Sequence, residues 1–251
     1  MDWLHDLVGK HPAERIAIID HDDTPLTYGA FRQVIAAVEQ ELINTGLRPG
    51  DRLMLVSENC ATYAATIFAA SRIGAWVMPV NARQSEDELR SLSEHAGPRL
   101  IVFTPEASEA SLAHADRLGA SCRGVTQVGD ILVAGPFDGP KTGAEPAEDT
   151  PENSVAALMY TTGTTSAPKG VMLTHRNLMW NAMSSARLRE IVPDDIVIGV
   201  LPGTHIFGFS SAFLATMHAG ATIRFMTRFD AARVLDALEN GGAVLPAVPQ
   251  M

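Results

Sequence analysis

The chain has 251 residues, 46% of them hydrophobic, enough apolar side chain to bury a sizeable core in one large or two smaller domains. Its 19 Lys and Arg stand against 29 Asp and Glu, a net charge of -10, and the long-range repulsion this creates excludes nucleic acid as an expected partner. Ordinary glycine, proline and charge content excludes a disordered or fibrous class, and two cysteines are too few for a disulfide framework.

The opening MDWLHDLVGK places acids ahead of any apolar run, which is not a secretory pattern. From Tyr28 onward, Phe31, Val34, Ile35, Val38 and Leu42 recur at helical spacing and stop at Gly46, so the spacing predicts an amphipathic helix closed by a left-handed glycine. A short apolar strand is expected at 53–56, a helix at 61–72, a strand at 76–80, a helix at 86–95 and a strand at 100–103. The most apolar stretch, 61–80, is interrupted by Arg72 and Gly74 and ended by Pro79, so no membrane span is expected. Cys60 and Cys122 lie far apart, match no metal or redox spacing, and are expected to pack as small apolar groups, which fits a reducing cytoplasm.

Residues 135–152, with Pro136, Pro140, Pro146 and Pro151 among acids and no apolar period, read as an exposed linker. Beyond it, strands are expected at 155–160, 171–173, 196–201, 222–225 and 244–248, with helices at 175–190, 206–218 and 231–240. Short apolar strands alternating with longer helices predict the α/β class, parallel-rich sheets flanked by helices. The expected division is a first βα-rich subdomain at 1–134, the linker at 135–152, and a second βα-rich subdomain at 153–251.

Residues 160–171 read YTTGTTSAPKGV between two apolar runs of strand length. Gly163 allows close backbone approach and positive φ, so successive amides can point at anionic oxygens. Thr161, Thr162, Thr164, Thr165 and Ser166 each offer a hydroxyl donor, and Lys169 adds a mobile point charge suited to phosphate. A Walker loop does not fit, because Pro168 stands at the second glycine and Gly170 at the Ser or Thr metal ligand. The segment predicts a strand-loop-strand phosphate grip, against the plainer reading of a polar hairpin turn. Thr174 is placed to cap the following helix. No Cys or His neighbours His175 or His205 at ligand spacing and no HExxH occurs, so no protein-held metal site is expected.

The run YTTGTTSAPKGVMLTHRN resembles the phosphate-loop signature of the adenylate-forming superfamily, which includes acyl-CoA synthetases, luciferases and the adenylation domains of peptide synthetases. Thr161, Thr162, Gly163, Thr164, Thr165, Pro168, Lys169, Gly170 and Val171 fit the family form, while Ser166 takes the place of its second glycine. LTYGAF at 26–31, GLRPGDRLMLVSEN at 46–59, NARQSEDEL at 81–89 and LPGTHIFG at 201–208 resemble further family segments in the family's order.

The resemblance implies an acyl-CoA synthetase type of activity using ATP, Mg2+ and CoA. A small carboxylic acid is converted to an acyl adenylate and pyrophosphate, and the acyl group then passes to the CoA thiol. Aliphatic and aryl acids are both open, fatty-acid metabolism is the expected setting, and the cytoplasm is the expected compartment. The loop residues would hold phosphates, with His205 and Phe207 in the substrate pocket. No catalytic residue is assigned, because the family's metal-binding glutamate, ribose-binding aspartate and catalytic lysine belong to segments not seen here. The 251-residue chain alone is therefore expected to be inactive, and apolar surface at 245–251 is expected to promote self-association. A non-catalytic nucleotide-binding module, a domain loading an amino or aryl acid onto a carrier protein, and a purely structural half remain alternatives.

Overall fold

A computed structural model of the chain describes residues 2–124, 128–139, 148–161, 168–249 and 251. A 3-10 helix at Leu4–Lys10 leads into β1 (Ile16–Ile19), β2 (Pro25–Thr27) and α1 (Tyr28–Asn44). There follow β3 (Arg52–Ser57), α2 (Ala61–Ile73), β4 (Trp76–Asn81), α3 (Glu86–Ala96), β5 (Leu100–Phe103), α4 (Glu109–Arg117), β6 (Ser121–Arg123) and β7 (Ile131–Ala134). The later part contains β8 (Val155–Thr161), β9 (Lys169–Thr174), α5 (His175–Leu188), β10 (Ile196–Gly199), a π-helix at Phe207–Leu214, α6 (Ala215–Ala219), β11 (Thr222–Phe225), α7 (Ala231–Glu239) and β12 (Gly242–Val244).

The strands form two sheets, one of seven in the order β6-β7-β5-β3-β4-β8-β9 and one of five in the order β12-β10-β11-β1-β2. Central pairs are parallel, including β3–β4, β4–β8 and β10–β11, and antiparallel pairs lie toward the edges, as at β8–β9 and β1–β2. This is the expected α/β architecture. Along β3, Leu53 and Leu55 belong to one core while Met54 and Val56 belong to another, so the strand buries both faces. The larger core also takes in α1, nearly all of α2 and residues of the five-stranded sheet, while α3 and α4 cover the opposite face of the seven-stranded sheet.

Sheet membership does not follow the expected division at 135–152. β1 and β2, early in the chain, complete the sheet built by β10 to β12, and β8 and β9, after that segment, extend the sheet begun by β3 to β5. Parallel pairing needs a crossover of a dozen or more residues, so a strand's neighbour in space need not be its neighbour in sequence. Three expectations are corrected. The strand expected at 244–248 ends at Val244, because Pro246 has no N–H for a ladder. The helix expected at 206–218 begins as a π-helix and becomes α-helical only at Ala215, a distinction that i, i+3, i+4 apolar spacing does not carry. Cys60 is buried as expected, but Cys122 is exposed and donates its S–H to Asp130 at 3.2 Å. No helix among the described residues is long and apolar enough to cross a membrane.

Candidate functional site

β8 and β9 form an antiparallel hairpin whose last pairs are Tyr160 with Gly170 and Thr161 with Lys169, the strand-loop-strand geometry expected of the threonine-rich segment. Residues 162–167, and with them Thr162, Gly163, Thr164, Thr165 and Ser166, lie outside the described residues. Gly170 leaves room for its cross-strand neighbours, for a Cβ there would stand 2.9 Å from Leu158 Cδ1 and 3.2 Å from Tyr160 Cζ, and those side chains would have to shift. The Tyr160 hydroxyl lies 2.8 Å from His95 Nδ1, with the two rings edge to face at 5.7 Å, so the end of α3 anchors the stem of the loop. Burial raises the Tyr160 pKa and keeps that hydroxyl neutral.

The other end of the hairpin is equally fixed. Thr174 caps α5 as expected, its hydroxyl accepting the Asn177 N–H at 3.2 Å while Asn177 Oδ1 accepts the Thr174 N–H at 3.1 Å. His175, 1% exposed, accepts the Leu4 N–H on Nδ1 at 3.1 Å and meets the Trp3 ring edge to face at 4.9 Å. Burial pushes its pKa down to about 4, so the ring is a neutral acceptor with its proton on Nε2.

A cleft of about 750 Å³ opens beside Thr161, where the C-terminal ends of β4 and β8 in one sheet meet the segment following β10 in the other. Open α/β sheets bind ligands at such strand ends. Asn81, Arg83, Tyr160, Thr161, His205 and Phe207 line it, so three of the expected site residues share one cavity. Lys169 stands at the stem, exposed and outside the lining. Sequence reasoning did not single out Asn81, Arg83 or Tyr160, although the first two open the NARQSEDEL segment.

Residues 201–208 hold His205 and Phe207 in place through buried polar contacts. The Asn59 amide donates to the carbonyls of Gly199, Leu201 and Met226 at 2.9, 2.9 and 3.1 Å and accepts the Gly203 N–H at 2.7 Å. The Tyr63 hydroxyl donates to the Gly203 carbonyl at 2.6 Å. A Cβ on Gly208 would lie 2.2 Å from the Pro202 carbonyl oxygen, so this close turn needs glycine. His205 Nδ1 accepts the Phe207 N–H at 3.3 Å, which leaves Nε2 as the nitrogen available to a ligand. The Arg189 guanidinium sits 5.6 Å from the centre of the Phe207 ring.

Charges at the cleft are already committed. Arg83 pairs with Glu58 and donates to the Thr227 carbonyl at 3.0 Å. Glu88, the carboxylate of the lining, accepts from Ser85 N and Oγ at 2.7 and 2.8 Å. The described residues therefore do not fit a protein-held Mg2+ in the cleft. Among the described residues, the grouping of metal-ligating side chains is Asp20, His21 and Asp22, outside this cavity.

The description "AMP-binding enzyme" fits residues 4–251 by family model. A feruloyl-CoA synthase of Amycolatopsis sp is 31% identical over 240 residues, covering 93% of this chain and 45% of that protein. A 4-coumarate–CoA ligase of Oryza sativa subsp. japonica is 32% identical over 236 residues, covering 89% of this chain and 41% of its own length. The ATP-bound crystal structure of MatB from Rhodopseudomonas palustris superposes with a TM-score of 0.76 at 27% identity, over 98% of this chain and 49% of that one. The chain thus spans about half the length of the relatives it matches. On the match over 4–251, together with the hairpin and cleft at the strand ends, the chain belongs to the family of AMP-binding enzymes.

Proposed function

We propose that this chain provides the phosphate-holding side of the active cleft of an ATP-dependent carboxylic acid:CoA ligase. The observation that carries the reading is the meeting of Thr161, which opens the threonine-rich loop, with His205 and Phe207 in one cleft at the strand ends. In the reaction, an oxygen of the acid attacks the α-phosphorus of ATP, the bond to the bridging oxygen breaks, and pyrophosphate leaves. CoA sulfur then attacks the acyl carbonyl carbon and AMP departs. Thr161, Thr162, Gly163, Thr164, Thr165, Ser166 and Lys169 hold the β- and γ-phosphates, so that charge building on pyrophosphate meets preorganised donors. His205 Nε2 faces the junction between phosphate and acid, and Phe207 walls the acid. Mg2+ enters with the nucleotide.

The acid favoured is a monocarboxylate with an apolar, aryl body. Ile206, Phe207 and Val248 give the cleft apolar walls, and its arginine, Arg83, is already paired with Glu58 and does not await a second carboxylate. Several relatives carry names of aryl acid ligases, acting on ferulate, 4-coumarate or indoleacetate. The compartment proposed is the cytoplasm, and the two stretches 1–134 and 153–251 act as one framework around the cleft.

Calorimetric titration of the chain with ATP tests the reading. ATP is expected to bind, and Lys169→Ala to weaken binding by about tenfold, as loss of a charge-assisted phosphate contact does. Absence of ATP binding, or full binding after Lys169→Ala, rules it out.

A further inference from the structure

α5 and its C-terminal capping residue present Asn181, Ser185 and Arg189 at spacing i, i+4, i+8, one stripe of the helix, and all three residues reach toward or support the π-helix at Phe207–Leu214. Asn181 Oδ1 accepts hydrogen bonds from Ser210 Oγ at 2.8 Å and Ser211 Oγ at 3.0 Å, with Ser185 Oγ at 3.4 Å. Ser210 is wholly buried, so without that acceptor its hydroxyl loses its side-chain partner away from water. Arg189 Nη1 donates to the Ser211 carbonyl at 3.1 Å and the Ser185 carbonyl at 3.3 Å, and its guanidinium covers the Phe207 ring. Ser210 and Ser211 are consecutive, and a single amide oxygen holding both hydroxyls ties two adjacent positions of the helix to one point.

That tie matters because π-turns are rare and occur frequently at functional sites. The π-helix contains Phe207 and Gly208, which line the cleft, whereas Asn181 and Arg189 do not. Slippage of the segment by one residue toward α-helical register would turn each side chain by about 100° around the axis, carrying the Phe207 ring off the cleft wall. We propose that Asn181 and Arg189 are positioning residues that set which acids the cleft accepts, by pinning the π-helix in the register that presents Phe207. The inference deepens the functional reading above and rests on it for the identity of the cleft.

The test compares Asn181→Leu, similar in size and without an acceptor, with Asn181→Asp, which keeps carboxylate oxygens for the serine hydroxyls. Arg189→Met and Arg189→Lys form a second pair. Two readouts are taken on the 251-residue chain: amide hydrogen exchange across 207–214, and affinity for two non-hydrolysable acyl-sulfamoyl adenosines, one aryl and one short alkyl, with AMP as control. Asn181→Leu is expected to speed exchange at 207–214 by about tenfold or more. It is also expected to shrink the aryl-to-alkyl affinity ratio about fivefold or more while AMP affinity holds within about twofold, and Asn181→Asp is expected to restore both. A merely structural role would weaken AMP and both analogues together and would not be rescued by Asp. Unchanged exchange in Asn181→Leu overturns the inference whatever the ligands do, as does an unchanged ratio in a variant that binds AMP. A wild-type chain that binds ATP but neither analogue overturns the inference, whereas one that binds no ATP defeats the functional reading instead, and the exchange result still decides the pinning. If Asn181→Leu does not fold, the Arg189→Met and Arg189→Lys pair decides by the same criteria.

Discussion

The Asn59 carboxamide oxygen accepts the Gly203 N–H at 2.7 Å, joining the turn after β3 of one sheet to the segment after β10 of the other. Its NH2 group completes the link by donating to carbonyls at the ends of β10 and β11, and Asn59 is only 4% exposed. Because this side chain links the two sheets and holds Leu201 and Gly203 of the segment that carries His205 and Phe207, the shape of the cleft depends on it.

Asn59→Leu keeps the volume, strands the buried Gly203 N–H and removes a donor from three carbonyls, of which that of Gly199 keeps the Met226 N–H at 3.2 Å. The expected cost is about 2–4 kcal/mol, seen as a Tm lower by roughly 5–12 °C for a chain of this size. Thermal unfolding followed by circular dichroism measures it. A drop under about 1 °C would show that the sheets are held without this link.

Gly208→Ala is expected to destabilise by about 2 kcal/mol or more, because the new Cβ meets backbone, the Pro202 carbonyl, which cannot rotate away. Gly9 is the internal control, since a Cβ there meets nothing within 4 Å. Paired urea melts of Gly208→Ala and Gly9→Ala should separate clearly; equal midpoints contradict the close turn at 201–208.

The buried His175 makes stability depend on pH. Unfolded, its imidazole takes a proton near pH 6.5; folded, it resists until about pH 4. Between those values the unfolded chain binds more protons, so stability contributed by the neutral ring is complete above pH 6.5 and is lost as pH falls toward 4, by up to about 3 kcal/mol. His5, His11 and His218 are depressed by burial and act in the same direction, while His21, raised by Asp20, acts oppositely. His175→Gln leaves those groups in place, so the difference in urea midpoint between wild type and variant should shrink as pH drops from 7 to 4. A difference that stays constant would mean that His175 does not titrate in this window.

The His95–Tyr160 contact is expected to couple by about 1 kcal/mol in a double-mutant cycle of His95→Ala and Tyr160→Phe. Additive unfolding free energies would show that α3 does not anchor the loop stem.

Self-association is expected through α5 and β9. Trp180, Met183, Leu188 and Met172 are 61%, 48%, 82% and 60% exposed, and in the stretch 245–251 Leu245 packs against the core around Ile198 and Val234 while Met251 is 39% exposed. Light scattering should show mass rising with concentration, reduced by Trp180→Ser with Met183→Ser and unaffected by Met251→Ser.

Local rules determined much of this protein from sequence alone. Short apolar runs and helical spacing located β3, β5, β11, α1 and α7 to within about two residues, the Thr174 cap lay at its expected position, and the run of threonines before Lys169 marked a hairpin beside a cleft. Each of these depends on residues a few positions apart. What the tertiary structure alone decided depends on residues more than a hundred apart or on helix register. β1 joins β11 across the chain, Asn59 reaches Gly203, Leu4 reaches His175, and a π-turn under Asn181 replaces the expected α-helix. No local pattern encodes these, because hydrogen-bond partners brought together by chain crossovers and a one-residue change of helical pitch leave the spacing of apolar residues almost unaltered.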